Sequence, residues 1–418
     1  MTPSAIVDRF RPDLAPFEAL YQDLHRHPEL SRFEARTASV ISSHLRRLGF
    51  RTHNDIGGHG VVGVLENGPG KTVMLRAELE ALPIEERTCL PYASKVRQAD
   101  WWGRDQPVMH ACGHDLHMAC LMAAGKLLLD ARAEWTGTLI VLFQPNGAHV
   151  SGARAMVDDG LYDKIPVPDV VMAQHLMPIR SGAVSIRPGP VLASAEIVTI
   201  QLFTTMGYAA NPHLSVDGTV VASKIIVQLD DLARKVAGGR YACIHINQIH
   251  AGGAGIDWAD RIDIVLYVKA YDQDIRQRIF DGIKELADIE RLAAGASKEP
   301  QISRSVWAPA TVNDAQVARL VRRAFVEHFG EEQVLSDVPS RHCDDFSILA
   351  RAKEVPYLFW FLGRVDSISL EAAEKEDRFL DMIAIEQSPL NAPLLHPTLE
   401  TGMGALAVAA LSFLAHAQ

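Results

Sequence analysis

The chain has 418 residues, 48% hydrophobic and 22% charged, with a formal net charge of -10. That length exceeds what one hydrophobic core organises, so two domains are expected. Acids and bases are mixed with no Lys/Arg block, which argues against nucleic-acid or membrane partners, and five widely spaced cysteines suit a reducing compartment rather than a disulfide framework.

In chain order, the opening MTPSAIVDRFRPDLAPF lacks the apolar core of a signal peptide, so a cytoplasmic location is expected. Ala15 to Leu48 carries helical spacing interrupted at His27-Pro28. Gly60 to Leu65 and Thr72 to Leu75 read as short buried strands. A helix at Ala119 to Ala133 is followed by strands at Gly137 to Phe143 and Val170 to Gln174. This alternation predicts an α/β domain with a mostly parallel, mixed sheet covered by helices on both faces.

From about Val191 the texture changes. Strand-type runs at Glu196 to Phe203 and Asp263 to Tyr271 alternate with helical patterns at Gly218 to Val236 and Asp274 to Ala294, which reads as an inserted α+β domain. The first texture returns with a helix at Asp314 to Phe329, a strand at Tyr357 to Leu362 and an apolar helix at Gly404 to Ala417, shorter than a membrane span. The expected division is 1–190 and 303–418 for the discontinuous first domain and 191–302 for the insert.

The chemistry concentrates at Met109 to His117, which holds Cys112, His110, His114, His117 and Asp115 at the mouth of a helix. Thiolate and imidazole bind Zn- or Mn-type ions, and a helix N-terminus favours the thiolate. Alone, the stretch reads equally as a polar capping loop. His175, at a strand's C-terminal end, and His396, before the last helix, make a dispersed metal site the better reading.

Ordered matches run along nearly the whole chain: LHRHPELSRFEARTA, LRAELEALPIEERTCLPYAS, MHACGHDLHMA, AQHLMPIRSG, NPHLSVDGTVVAS, TVND, DDFS and LLHPTLE. On these residues the chain resembles the metallopeptidase family of N-acyl-amino-acid amidohydrolases: aminoacylase, hippurate hydrolase and indole-acetyl-amino-acid hydrolases. The resemblance implies a metal-bearing catalytic domain, a smaller lid domain that closes over the cleft and often dimerises, and cleavage of an amide between an acyl group and an amino acid. Carried over by position, it implies Cys112, His114, His175 and His396 as ligands of a divalent metal, Zn or Mn.

The departures fall on the chemistry. After Phe143-Gln144-Pro145 the family has two adjacent glutamates, a general base and a metal ligand. Here the two positions hold Gly147 and Ala148, followed by His149. Two family aspartates are lengthened to Glu78 and Glu80, the lid's histidine becomes Tyr208, and Asp344 stands where glutamate is usual. With Ala148 in place of an anionic ligand, reduced metal occupancy or its absence is expected. Without a water-activating base, the expected chemistry on an acyl or amide substrate shifts toward condensation, acyl transfer or cyclisation. Two alternatives stand beside it: conventional hydrolysis with His149 as substitute, and an inactive scaffold with a binding role. His149 reads equally as an exposed loop histidine. Tyr208, His213 and Asp344 are the further candidate acid/base groups, and a homodimer is the expected assembly.

Overall fold

The structure is a computed structural model that describes residues 1–203, 216–252, 261–336 and 339–414. In chain order its strands are β1 (Arg51–Ile56), β2 (Gly60–Asn67), β3 (Thr72–Glu78), β4 (Arg97–Ala99), β5 (Asp105–Pro107), β6 (Gly137–Gln144), β7 (Val170–Arg180) and β8 (Val184–Ser185). They continue as β9 (Gly189–Leu192), β10 (Ser194–Phe203), β11 (Ala242–Ala251), β12 (Arg261–Ala270), β13 (Gln301–Ala308), β14 (Thr311–Asn313), β15 (Val334–Leu335) and β16 (Tyr357–Val365). The chain divides into two compact units. The first is Met1–Val191, Val312–Val338 and Asp345–Gln418; the second is Leu192–Thr311 and Pro339–Asp344. The second unit therefore includes a short return segment that sequence periodicity assigned to the first domain.

The first unit is built on a mixed sheet of order β1-β2-β6-β3-β7-β16-β8-β15, flanked by helices. Its centre, β6-β3-β7-β16, is parallel, while β1 and β2 pair antiparallel with their neighbours and β8 runs antiparallel to β16 and parallel to β15. The central strands are near-continuous apolar runs such as Gly137–Gln144 and Tyr357–Val365, as burial on both faces demands. Against them pack two apolar helices, His114–Asp130 and Leu395–Leu414, which also touch each other. The second is long and apolar enough to cross a membrane, but most of it lies inside this core. It begins nine residues before the sequence reading placed it, because His396-Pro397 disguises its first turn with non-helical backbone. The Ala15 to Leu48 pattern splits into Ala15–Arg26 and Ala35–Arg47 around His27-Pro28.

The second unit is an antiparallel sheet of order β11-β12-β10-β13 with the helices Gly218–Ala237 and Gln273–Ala293. Their apolar residues form its own core around Ile225, Ile264 and Ile279. Asp217 caps the first helix by accepting the N–H groups of Thr219 and Val220.

Candidate metal centre

Register assembles this site. On β3, residues two apart share a face, so Arg76, Glu78 and, just past the strand end, Glu80 fall on one side. Glu78 pairs with Gln144 at the end of β6, and Arg76 pairs with Ala173 on β7; two residues further along, Glu78 comes level with His175. The carboxyl ends of parallel strands are where open α/β sheets gather ligands. Gly113, in the left-handed region at φ 77°, turns the chain into the helix His114–Asp130, and a Cβ there would lie 2.3 Å from a methyl of Leu176. His114 and His117, three apart, then share one helix face.

These elements bring Glu78, His114, His117 and His175 together, one ligand atom of each lying within 4.8 Å of all the others. Hydrogen bonds fix the tautomers. His114 Nδ1 donates to the Glu80 carbonyl at 2.9 Å and His175 Nδ1 to the Leu176 carbonyl at 2.8 Å. Each ring therefore turns an Nε2 lone pair inward, the arrangement that orients metal-binding histidines. His117 is the opposite: its Nε2 accepts the Leu176 N–H at 2.9 Å, which leaves Nδ1 as a buried donor without a partner among the described residues. Burial, and then His175 and His114, hold His117 neutral, well below the usual histidine range.

Burial alone would push the Glu78 carboxyl up, but Arg76, with Nη1 at 3.0 Å, and then His114 and His175 bring it down to about 2. Glu80 goes the other way. Burial, then the charges of Glu78 and Glu34, raise it well above the usual carboxylate range; a cation on the cluster reverses that logic. Its Oε1 accepts the Ala148 N–H at 2.9 Å, while Oε2 is buried without a partner among the described residues. The loop beyond β6 lies against these carboxylates. Glu34 Oε1 accepts the Asn146 N–H at 2.8 Å, and a Cβ added to Gly147 would stand 2.7 Å from Oε1 of both Glu78 and Glu80.

The profile of Peptidase family M20/M25/M40 matches residues 74–388. The chain belongs to that family. Hippurate hydrolase from Campylobacter jejuni is 32% identical over 347 residues, covering 82% of this chain and 87% of that protein. N-acetyl-L-cysteine deacetylase from Bacillus subtilis is 31% identical over 343 residues, covering 81% and 78%. The crystal structure of Bacillus subtilis YXEP, described as a dinuclear metal binding peptidase of the M20 family, superposes with a TM-score of 0.75 at 23% identity, covering 97% and 98% of the two chains. This member of the M20/M25/M40 family is an enzyme of amide bonds.

Of the ligands expected in this M20/M25/M40 member, His114 and His175 join the cluster, and Cys112 and His396 lie outside it. Burial, then Glu78, Glu80 and Glu386, push the Cys112 thiol up. His396 is half-exposed, with Nδ1 2.7 Å from Glu400 and Nε2 3.3 Å from Glu18, so both ring nitrogens are engaged by carboxylates. His149 also lies outside the cluster; its Nδ1 donates to Asn146 Oδ1 at 2.9 Å. Asp344 is half-buried in the second unit's segment Pro339–Asp344. Its neighbour Asp345 is the fully buried acid, accepting from Gln144 Nε2 and the Ala153 N–H. Tyr208 and His213 lie outside the described residues. His117 was legible only as part of its motif; the i, i+3 spacing from His114 was the available signal.

The same unit of this M20/M25/M40 chain has a cleft of about 370 Å³ with Leu30, Phe33 and Leu82 among its walls, Ala148 and His149 at one part, and Trp101 and Trp102 at another. The two indoles, 67% and 71% exposed, sit at the tip of the β4-β5 hairpin. Asp100 holds that tip, its carboxylate accepting from the N–H groups of Trp102 and Arg104 and from the side chains of Arg104 and Gln106. Guanidiniums stack on both rings, Arg32 at 5.4 Å from Trp101 and Arg104 at 4.7 Å from Trp102.

Proposed function

We propose that this chain is a metal-dependent enzyme acting on the amide bond of N-acyl amino acids, with Glu78, His114 and His175 as the ligands of a Zn or Mn ion. The observation that carries this is the pair of inward Nε2 lone pairs beside an ionised, buried carboxylate. Two imidazoles and a carboxylate match the donor preference of such ions and leave coordination positions open. When bound, the ion supplies Lewis acidity toward the acyl carbonyl and lowers the pKa of water. The protein's own groups do the rest. His117 Nδ1–H offers a hydrogen bond to oxygen within the cluster, Arg76 steadies Glu78, and the cleft beside Ala148 takes the acyl group between apolar walls and indoles.

The test is elemental analysis of the purified protein together with release of free amino acid from a panel of N-acyl amino acids, before and after chelation. We expect one tightly held ion per chain and turnover that chelation abolishes. Amide cleavage that survives complete metal removal would sink this reading.

A second reading keeps the substrates and changes the reaction to condensation, acyl transfer or cyclisation, favoured by Gly147 and Ala148 where the resemblance expects carboxylates. Incubating carboxylic acid, amine and acyl-amino acid together, and following both directions, separates the two. The role of the insert as lid and dimerisation module is likewise a proposal. Within the second unit, β11 is an exposed edge strand, the kind of feature that pairs between copies. A monomer by light scattering at all concentrations would remove it.

A further inference from the structure

The cleft beside Ala148 has a charge balance as well as a shape. The charged or titratable side chains on it are Arg32, Asp100, Arg104 and His149. Asp100 is already engaged. Its carboxylate holds Arg104 at 2.7 Å and also accepts from Gln106 and from the N–H groups of Trp102 and Arg104. That pair cancels its own charge. Arg32 has no such partner: among the described residues no carboxylate lies within ion-pair distance of it, and its guanidinium rests 5.4 Å from the centre of the Trp101 ring. Its charge is felt inside the cleft, because burial first and then Arg32 hold His149 below the ordinary histidine value. An exposed arginine alone is ordinary. Here it stands over an apolar cleft, against an indole that is itself largely exposed.

The cleft's volume, about 370 Å³, falls in the range of small-molecule sites. One part is Ala148, whose N–H bonds Glu80 beside the cluster, and another is the hairpin tip with its two indoles. Apolar walls and aromatic faces suit a flat ring, and an unmatched guanidinium beside Trp101 suits an anion carried by that ring. We propose that the acyl groups this enzyme takes best are aromatic rings bearing a carboxylate on the side away from the amide, and that Arg32 is the residue that selects them. This rests on the amide-bond reading above and names its substrate class. With the amide at the cluster and the ring along the cleft, the distal carboxylate arrives at Arg32 and Trp101. Arginine can stay stacked on an indole while it donates N–H groups in its own plane to a carboxylate, which a lysine cannot do.

The test compares cleavage of N-benzoylglycine, N-(para-carboxybenzoyl)glycine and the neutral N-(para-carbamoylbenzoyl)glycine by the full-length enzyme supplied with Zn or Mn. The same series is run on Arg32→Gln and Arg32→Lys, and binding of benzamide and para-carbamoylbenzoate is measured by calorimetry. We expect kcat/KM for the carboxybenzoyl substrate to exceed that of both neutral ones by about tenfold or more, mainly through KM. The preference should shrink as salt is added, vanish in Arg32→Gln and survive in part in Arg32→Lys. Arg32 is exposed, so both variants should keep the wild-type thermal midpoint. Equal kcat/KM on the three substrates would overturn the proposal, as would a preference that persists in Arg32→Gln. An equal loss on all three in Arg32→Gln would overturn it too, because Arg32 would then be holding the amino acid's own carboxylate. If no N-acyl amino acid is cleaved, the amide reading fails. Tighter binding of para-carbamoylbenzoate than of benzamide, lost in Arg32→Gln, then still supports the anion-selecting site, and equal binding overturns it.

Discussion

Two buried histidine–carboxylate groups flank the first turn of the helix His114–Asp130, and they are built to opposite ends. His25 is saturated: Nδ1 lies 2.6 Å from Asp115 and Nε2 2.9 Å from Glu86. Burial opposes charge on that ring, yet the hydrogen bonds to the two carboxylates lift it to about 10. His114 and His175 instead spend Nδ1 on backbone carbonyls and keep Nε2 open toward Glu78. Identical residue types make a closed strut in one place and a set of converging donors in the other. What separates them is whether each ring's second nitrogen already has a partner.

The contrast fails most visibly if the open group can be removed without chemical consequence. His175→Ala should cut kcat/KM by about 10³-fold or more, through lost metal stabilisation of several kcal/mol, while circular dichroism stays unchanged. Full metal content in that variant would break the comparison.

The closed group should answer in stability. His25→Ala strands Asp115 and Glu86 in the interior and is expected to cost ~3–5 kcal/mol in denaturant unfolding. Because the folded pKa of His25 is raised from 6.5 to about 10, its contribution is fully present below pH 6.5 and disappears as pH rises toward 10. A wild-type melting profile flat across that window, or one that His25→Gln leaves unaltered, would contradict the assignment.

A smaller effect is expected at the cleft. Trp101→Ala should raise KM for aromatic N-acyl substrates about tenfold, corresponding to ~1.4 kcal/mol of lost ring contact, and leave KM for N-acetyl substrates nearly unaltered. Equal changes on both would place the indole outside the acyl site. The smallest change belongs to His149→Ala, expected to stay within about twofold in turnover as for an ordinary surface substitution, with metal content intact. A large loss there would restore His149 to the chemistry.

Much of the architecture was legible. The apolar runs at Gly137–Gln144 and Tyr357–Val365 announce buried strands, and the change of texture near Val191 announces the second unit. His114 and His175 were legible as members of one cluster because their motif and their strand end fix where they point. Cys112 and His396 were named on the same grounds, but the carboxylates of Glu18 and Glu400, which no spacing rule reveals, decide where the His396 ring is held. The lengthened Glu78 and Glu80 were visible as departures and so was Gly147, yet their connection was not. Residues nearly seventy positions apart share a volume only once β3 and β6 are in register. Trp101 and Trp102 gave no signal because adjacent tryptophans look like core until the Asp100 turn holds them outside it.

The helix Leu395–Leu414 has a further consequence for synthesis. It lies at the heart of the first unit's core, against a helix encoded almost three hundred residues earlier, and β16 in the middle of the sheet also comes late. A ribosome-bound chain that has not yet released these segments holds an unclosed sheet and a bare apolar helix at His114–Asp130. Domains commonly mature during translation in the order they emerge; here the first unit to begin is obliged to wait for its last segment, which makes the nascent chain a natural client for chaperones that shield apolar surface.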